Sequence, residues 1–222
     1  MEWAPLLLSL EVASLSMLLA LVAGTGLAVL FRWKRMPARD FFYALVCAPL
    51  VLPPTVLGYY LLVALGSDSM IGRAWHSITG GTIVFSFAGA VIAAAVGSLP
   101  LVIRSARIGL EAVDPNLENA ARTLGASPTR VLFTVVLPLA TPAILAGAML
   151  AFARALGDYG ITQMVAGQMI GGTETASIHV MNALYGGREV DARNMAIVTT
   201  LVGVTLLYVA NRVAKRFSGT HV

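Results

Sequence analysis

Charge is what this sequence has least of. Only 12% of its 222 residues are Asp, Glu, Lys or Arg, whereas 58% are hydrophobic. A soluble domain carries roughly 25% charged residues, so the balance excludes a water-soluble globular fold. Cysteine is almost absent too. Cys47 stands alone inside an apolar run, which excludes a disulfide framework within the chain. Lysine occurs twice, at Lys34 and Lys215, and neither follows a glycine-rich loop. No Walker A phosphate cradle can be built from them, so ATP hydrolysis by that route must belong to another subunit. Histidine is sparse. His179 has no second His or Cys beside it, which makes it a poor metal ligand; no metal and no other cofactor is expected.

What is present are long apolar runs, of the length of about 20 residues that crosses a hydrocarbon core. The chain reads as an all-α polytopic membrane protein, a single transmembrane domain over 1–222. The spans are expected near 6–31, 41–65, 80–103, 131–156 and 194–211. The first run begins after Glu2 and carries its positive charges behind it, so it reads as a span rather than a cleaved signal. Basic residues alternate between loops. Arg32, Lys34, Arg35 and Arg39 fall in 32–40, Arg104, Arg107, Arg122 and Arg130 in 104–130, and Arg212, Lys215 and Arg216 in the tail. Arg73, Arg188 and Arg193 fall in the two loops on the opposite side. The positive-inside rule then places the amino terminus outside and the carboxyl terminus in the cytoplasm. The net charge of +4 is explained by this orientation, not by nucleic-acid binding. The stretch 160–185 is apolar for a loop, and a re-entrant segment there stays open.

Prolines and small residues punctuate the spans. Pro49, Pro53 and Pro54 remove backbone donors from the second one and must kink or break it. Either the break bends a helix around a pathway or it serves packing alone. Gly89, Ala93 and Gly97 give the third span a flat face suited to close helix approach.

One segment is polar and capped where its surroundings are not. Asp114 can cap a helix whose first position is Pro115. Glu118 lies near the positive end of that helix. Leu117, Ala120, Ala121 and Leu124 form a stripe at i, i+3, i+4 and i+7, and Gly125 suits a left-handed stop. Ser127 and Pro128 repeat the cap-then-proline device before the fourth span. The stripe is small and poor in aromatics, so it suits a groove on a partner protein better than a membrane surface.

This segment resembles the coupling loop of the membrane subunits of bacterial ATP-binding-cassette importers. In the pattern E-A-A, three residues, G, nine residues, I-x-L-P, the matches are Ala120, Ala121, Gly125, Leu137 and Pro138, with Val135 for the isoleucine. Asn119 stands where the family has glutamate, and Glu118 lies one position earlier. The stretches 50–60, 120–126 and 152–160 are similar to the permeases of molybdate importers; the related sulfate and tungstate permeases share largely the second and third, so the Leu52-Pro53-Pro54 stretch and short length favour molybdate. The resemblance implies a type I importer fold, a homodimer, ATPase subunits docked on the coupling helix, and an extracytoplasmic binding protein that delivers the oxyanion. A secondary transporter or a membrane anchor that does not transport are the rivals from other classes. Five spans and the scarcity of buried acids beyond Glu11 speak against the first.

Arg154 and Asp158 sit four apart near the outer end of the fourth span. Arg154 could attract a tetrahedral oxyanion, but an i, i+4 ion pair is available without any substrate and is the expectation. Pro53, Pro54, Arg154 and Asp158 remain the candidate pathway residues. The stretch 175–186 reads as a short external helix with Thr175 as cap and Gly186 as stop, suited to face the substrate-delivering binding protein; Glu174, Arg188, Glu189 and Asp191 around it are either a charged rim for that contact or, as is favoured, solvated loop charges.

Overall fold

The computed structural model describes residues 3–32, 37–168 and 172–218, with backbone alone for 211 and 213–218. Lys34 and Arg35 lie outside the described residues, as do residues 169–171 of the apolar stretch 160–185; the side chains of Lys215 and Arg216 are likewise not described. Among the described residues every regular element is helical: α1 (Ala4–Phe31), α2 (Arg39–Cys47), α3 (Pro54–Leu65), α4 (Met70–Thr79), α5 (Phe87–Glu111), α6 (Pro115–Thr123), α7 (Pro128–Val131), α8 (Leu137–Leu156), α9 (Gly160–Ala166), α10 (Ala176–Tyr185) and α11 (Glu189–Ser218).

Among the described residues, four continuous helical stretches are long and apolar enough to cross a membrane: Ala4–Phe31, Phe87–Glu111, Pro128–Leu156 and Glu189–Ala210. The expected second span, 41–65, is not a rod. Arg39–Leu50 and Pro54–Leu65 meet at 112°, with Pro53 extended at φ −54°, ψ 138° and Pro54 opening α3. Proline supplies no N–H to continue the ladder and pushes its predecessor out of the helical region. At 1.5 Å per residue α3 spans only about 18 Å. The third span begins later than its hydropathy suggests and runs on to Glu111, so Arg104 and Arg107 lie on α5 rather than in a loop. The loop expected at 66–79 contains α4, which Ser69 caps by accepting from Gly72 N at 2.8 Å.

The bundle is organised around α5, which packs against α1, α8 and α9. Its buried face is made mostly of small residues, among them Ala90, Ala93, Ala94, Gly97, Ser98, Ala106 and Gly109. Lipid is as apolar as a leucine side chain, so helices in a membrane gain by dispersion at close approach and not by escape from water. Across the α5–α8 seam, a Cβ placed on Gly147 would lie 2.7 Å from Ser105 Cβ and 3.2 Å from Val102 Cα. One on Gly109 would lie 2.6 Å from Ala143 Cβ. The expected flat face turns toward α9, where a Cβ on Gly97 would meet Ile161 Cδ1 at 2.6 Å. Polar stitches fix the register. Ser16 donates to the Val91 carbonyl (2.9 Å), and Ser9 accepts from the Ala176 N–H (2.7 Å) at the start of α10.

A Gly147→Val substitution should force α5 and α8 apart at an overpacking cost of about 1–3 kcal/mol. The measurement is the thermal unfolding midpoint of the purified protein in detergent. Gly26→Ala is the contrast, because a Cβ there meets nothing within 4 Å, and its midpoint should not fall.

Candidate functional site

At the end of the bundle where α1 and α5 finish, α6 is held by its own caps. Asp114 accepts from Asn116 N at 2.9 Å. At the other end Gly125 adopts φ +85°. Its N–H reaches the Arg122 carbonyl (2.9 Å), and Ala126 N reaches the Ala121 carbonyl (3.1 Å). That pair of bonds closes the helix with a Schellman turn, which needs a left-handed residue and so a glycine. Ser127 then accepts from Arg130 N at 3.3 Å and opens α7.

The apolar stripe expected on this helix does not face one way. Ala121 turns inward against the cluster that holds Leu110, Val113, Val131 and Val136. Leu117, Ala120 and Leu124 face out, and Leu124 is 89% exposed. The cause is Glu118. Its side chain is buried and ion-paired with Arg32, the residue that follows α1, while Arg122 Nη2 stands 3.9 Å away on its other side. A buried carboxylate needs a cation and hydrogen bonds. The helix is therefore rotated with its Glu118–Ala121 edge inward, which leaves Leu117, Ala120 and Leu124 as an exposed apolar edge. No described residue of this chain covers that edge, and Leu124 is the more exposed of its two leucines.

The junction from α7 to α8 carries a wide π turn over Leu132–Val136, closed by Leu137 N donating to the Leu132 carbonyl. Pro138 explains it, because it offers no N–H to Thr134 four residues back and crowds that carbonyl. Phe31, Tyr43, Arg107 and Glu111 brace the same end. The Phe31 and Tyr43 rings meet edge-on at 5.6 Å, Arg107 lies 4.7 Å over the Tyr43 ring, and it bonds Glu111 at 2.7 Å.

At the opposite end, Asp158 is buried and fully engaged. It accepts from Arg154 Nη1 (2.9 Å), Thr162 N (2.9 Å) and Thr162 Oγ1 (2.6 Å). The carboxylate thus bridges the end of α8 and the first turn of α9. Pro54 is drawn into the same neighbourhood, since a Cβ on Gly160 would lie 2.8 Å from Pro54 Cβ. Pro53, Pro54, Arg154 and Asp158 so cluster around α9, and none of them lies near the α6 group. Beside them a cleft of about 350 Å³ opens between α10 and α11, bordered by the hydroxyl-bearing Tyr159, Ser177, Thr199 and Thr200.

Two expectations about the following segment need correction. Glu174 is not a solvated loop charge. It is buried, accepts from Asn182 Nδ2 at 3.0 Å, and its Oε1 lies 3.4 Å from His179 Nδ1. A helix does run over Ala176–Tyr185, but the Thr175 side chain makes no cap bond, and the left-handed residue that ends the segment is Gly187 (φ +70°), not Gly186 (φ −83°). Arg188 and Asp191 are exposed and form an i, i+3 pair at 3.4 Å.

Comparison with known proteins gives a consistent picture. Residues 16–219 match the family model described as binding-protein-dependent transport system inner membrane component. The molybdenum transport system permease protein ModB of Escherichia coli strain K12 is 43% identical over 208 residues, 93% of this chain and 91% of that protein. The putative molybdenum transport system permease protein YvgM of Bacillus subtilis is 34% identical over 93% of this chain and 91% of its own length. The sulfate transport system permease protein CysW of Synechocystis is 31% identical over 96% of this chain and 77% of its own. Among solved structures, a chain of the inward-facing MetNI methionine ABC transporter superposes with a TM-score of 0.70 at 18% identity, covering 96% of this chain and 94% of that one. A bacterial alginate importer gives 0.75 at 15% identity, covering 96% and 78%. The fold is that of a type I importer permease.

Losing Arg32 should be worse than losing Glu118. Arg32→Ala strands a buried carboxylate beside one loosely placed arginine, whereas Glu118→Ala leaves a guanidinium that is already 30% exposed. Expected losses are about 2–3 kcal/mol for the first and about 1 kcal/mol for the second. Thermal unfolding of the two variants and their double mutant checks the order, with the double mutant losing less than the sum.

Proposed function

The chain belongs to the family of binding-protein-dependent transport system inner membrane components, and on that premise we propose that it is the permease of an ATP-driven molybdate importer. It is a multi-pass inner-membrane protein and a transport subunit. The observation that carries the substrate is the 43% identity to a molybdenum permease over nearly the whole of both chains.

In this reading two copies pair around the route, a separate ATPase subunit docks on each α6, and an extracytoplasmic binding protein hands over the oxyanion at the opposite face. The amino terminus lies outside and α6 in the cytoplasm. The exposed edge of Leu117, Ala120 and Leu124 supports the docking role, since its size and lack of aromatics suit a groove on a folded partner. Closure of the ATPases then displaces α6 as a capped rigid body. The Glu118–Arg32 pair carries that displacement to the end of α1, and the Schellman turn at Gly125 and the π turn before Pro138 carry it into α8. At the far end α8 leads to Arg154, Asp158 and α9, so a tilt of α8 moves that cluster between two arrangements.

Affinity for molybdate belongs mainly to the binding protein, and the permease offers a weakly binding polar route. Arg154 retains guanidinium donors not used by Asp158 and is 36% exposed, which suits brief contact with an oxyanion. Sulfate is the rival cargo, because a sulfate permease is also a relative.

The complex reconstituted in lipid should hydrolyse ATP faster with molybdate-loaded binding protein than with the empty protein. Stimulation by sulfate-loaded protein alone would overturn the molybdate reading. Ala120→Trp, which enlarges the exposed edge without touching the core, should abolish the stimulation and molybdate uptake together. Arg154→Gln should lower uptake several-fold at normal expression, and unchanged uptake removes Arg154 from the route.

A further inference from the structure

Beneath α6 a cleft of about 810 Å³ separates the last turns of α1 from the start of the α7–α8 rod. One wall is apolar: Gly26, Val29 and Leu30 from α1 face Leu132 across it. A Cβ at Gly26 would meet nothing within 4 Å, so the wall is open and not filled by a neighbouring side chain. The rim is cationic. Arg32 and Arg122 both line it, with Glu118 between them. One carboxylate for two guanidiniums leaves an excess positive charge, and each arginine has five N–H groups, of which Glu118 occupies a few. Gly26 lies six residues before Arg32, about 9 Å down the helix axis. The cleft is therefore apolar at the depth of a span and cationic at its end.

We propose that this cleft is a binding site for an anionic phospholipid. The phosphate sits on the cleft side of the rim, against the Arg32 and Arg122 N–H groups that Glu118 does not use, and one acyl chain lies along Gly26, Val29, Leu30 and Leu132. Charge complementarity selects the headgroup, because a zwitterionic lipid leaves the excess cation uncompensated. The open apolar wall selects a lipid over free phosphate, which has nothing to place there. A lipid bound there rests on the same Glu118–Arg32 pair that joins α6 to α1, so its presence stiffens the coupling connection. This inference rests on the importer reading for the position of α6 at the cytoplasmic surface.

The test uses the complete complex in nanodiscs of equimolar phosphatidylcholine and phosphatidylglycerol, with retained lipid counted by native mass spectrometry after detergent release. Phosphatidylglycerol should be enriched over phosphatidylcholine. Arg122→Gln should reduce the enrichment about fivefold, the worth of one surface cation toward an anionic lipid, and Arg122→Lys should restore most of it. Gly26→Leu, which fills the apolar wall and leaves the ion pair untouched, should also remove the bound lipid. Equal retention of both lipids, or full phosphatidylglycerol retention by Gly26→Leu, overturns the proposal. Inorganic phosphate bound in pure phosphatidylcholine discs with the same dependence on Arg122 and none on Gly26 overturns it in favour of a simple anion site. Enrichment on the isolated permease but not on the complex assigns the cleft to the ATPase subunit instead. ATPase stimulation by the loaded binding protein, measured in the mixed phosphatidylcholine and phosphatidylglycerol discs, tests the importer reading independently.

Discussion

Close approach along α5 is the constraint on which the rest of this structure depends. In a bilayer, burying apolar side chains between helices gains little over leaving them in lipid, so helices hold together by contact distance and internal polar bonds. Alanine, glycine and serine dominate the buried face of α5, and the seams with α1, α8 and α9 close until a single added Cβ would collide. Larger apolar residues are displaced outward. Leu7, Leu15, Leu18 and Leu19 on α1 and Leu201 and Val204 on α11 are exposed, the inverse of a soluble core and suited to lipid.

A rigid centre gives the two polar ends something to act through. At one end the Glu118–Arg32 pair ties a capped helix to the residue that follows a span. At the other, Asp158 gathers Arg154 and the first turn of α9 with three accepted hydrogen bonds. Each carboxylate is buried and satisfied: Glu118 by a residue that the packing brings from 86 positions away, Asp158 by partners four residues to either side. The π turn before Pro138 is the place where the rod between these ends departs from regular geometry. A proline that removes one backbone bond there leaves a site for bending without a loose loop.

Legibility in the sequence followed the distance over which each feature is determined. The caps at Asp114 and Ser127 and the glycine stop at Gly125 are set within three or four residues, and each is found where the sequence puts it. The break at Pro53 and Pro54 is equally local, but the 112° between its halves comes from how α3 docks on α9. The stripe on α6 was legible as apolar spacing only. Which of its members would face out depended on Arg32, 86 residues away. Arg32 itself carries no signal beyond its charge, which in sequence marks only the topology of the spans. Glu174 misled for a similar reason. A glutamate between polar loop residues looks solvated until Asn182 and His179 are folded over it.

By itself, the sequence determined that this is a membrane-spanning helical protein with one capped polar helix between spans, and that the helix carries a recognisable coupling pattern. Those are properties of composition and short spacing, fixed by hydrocarbon thickness and by the backbone groups left bare at a helix end. Only the tertiary structure decided which edge of that helix is exposed, which charge neutralises Glu118, where the second apolar run turns, and that Glu174 is inside. Each of these depends on charges or surfaces far apart in the chain, and an ion pair stabilises one rotation of a helix over another only once both partners have been brought to the same end of the bundle.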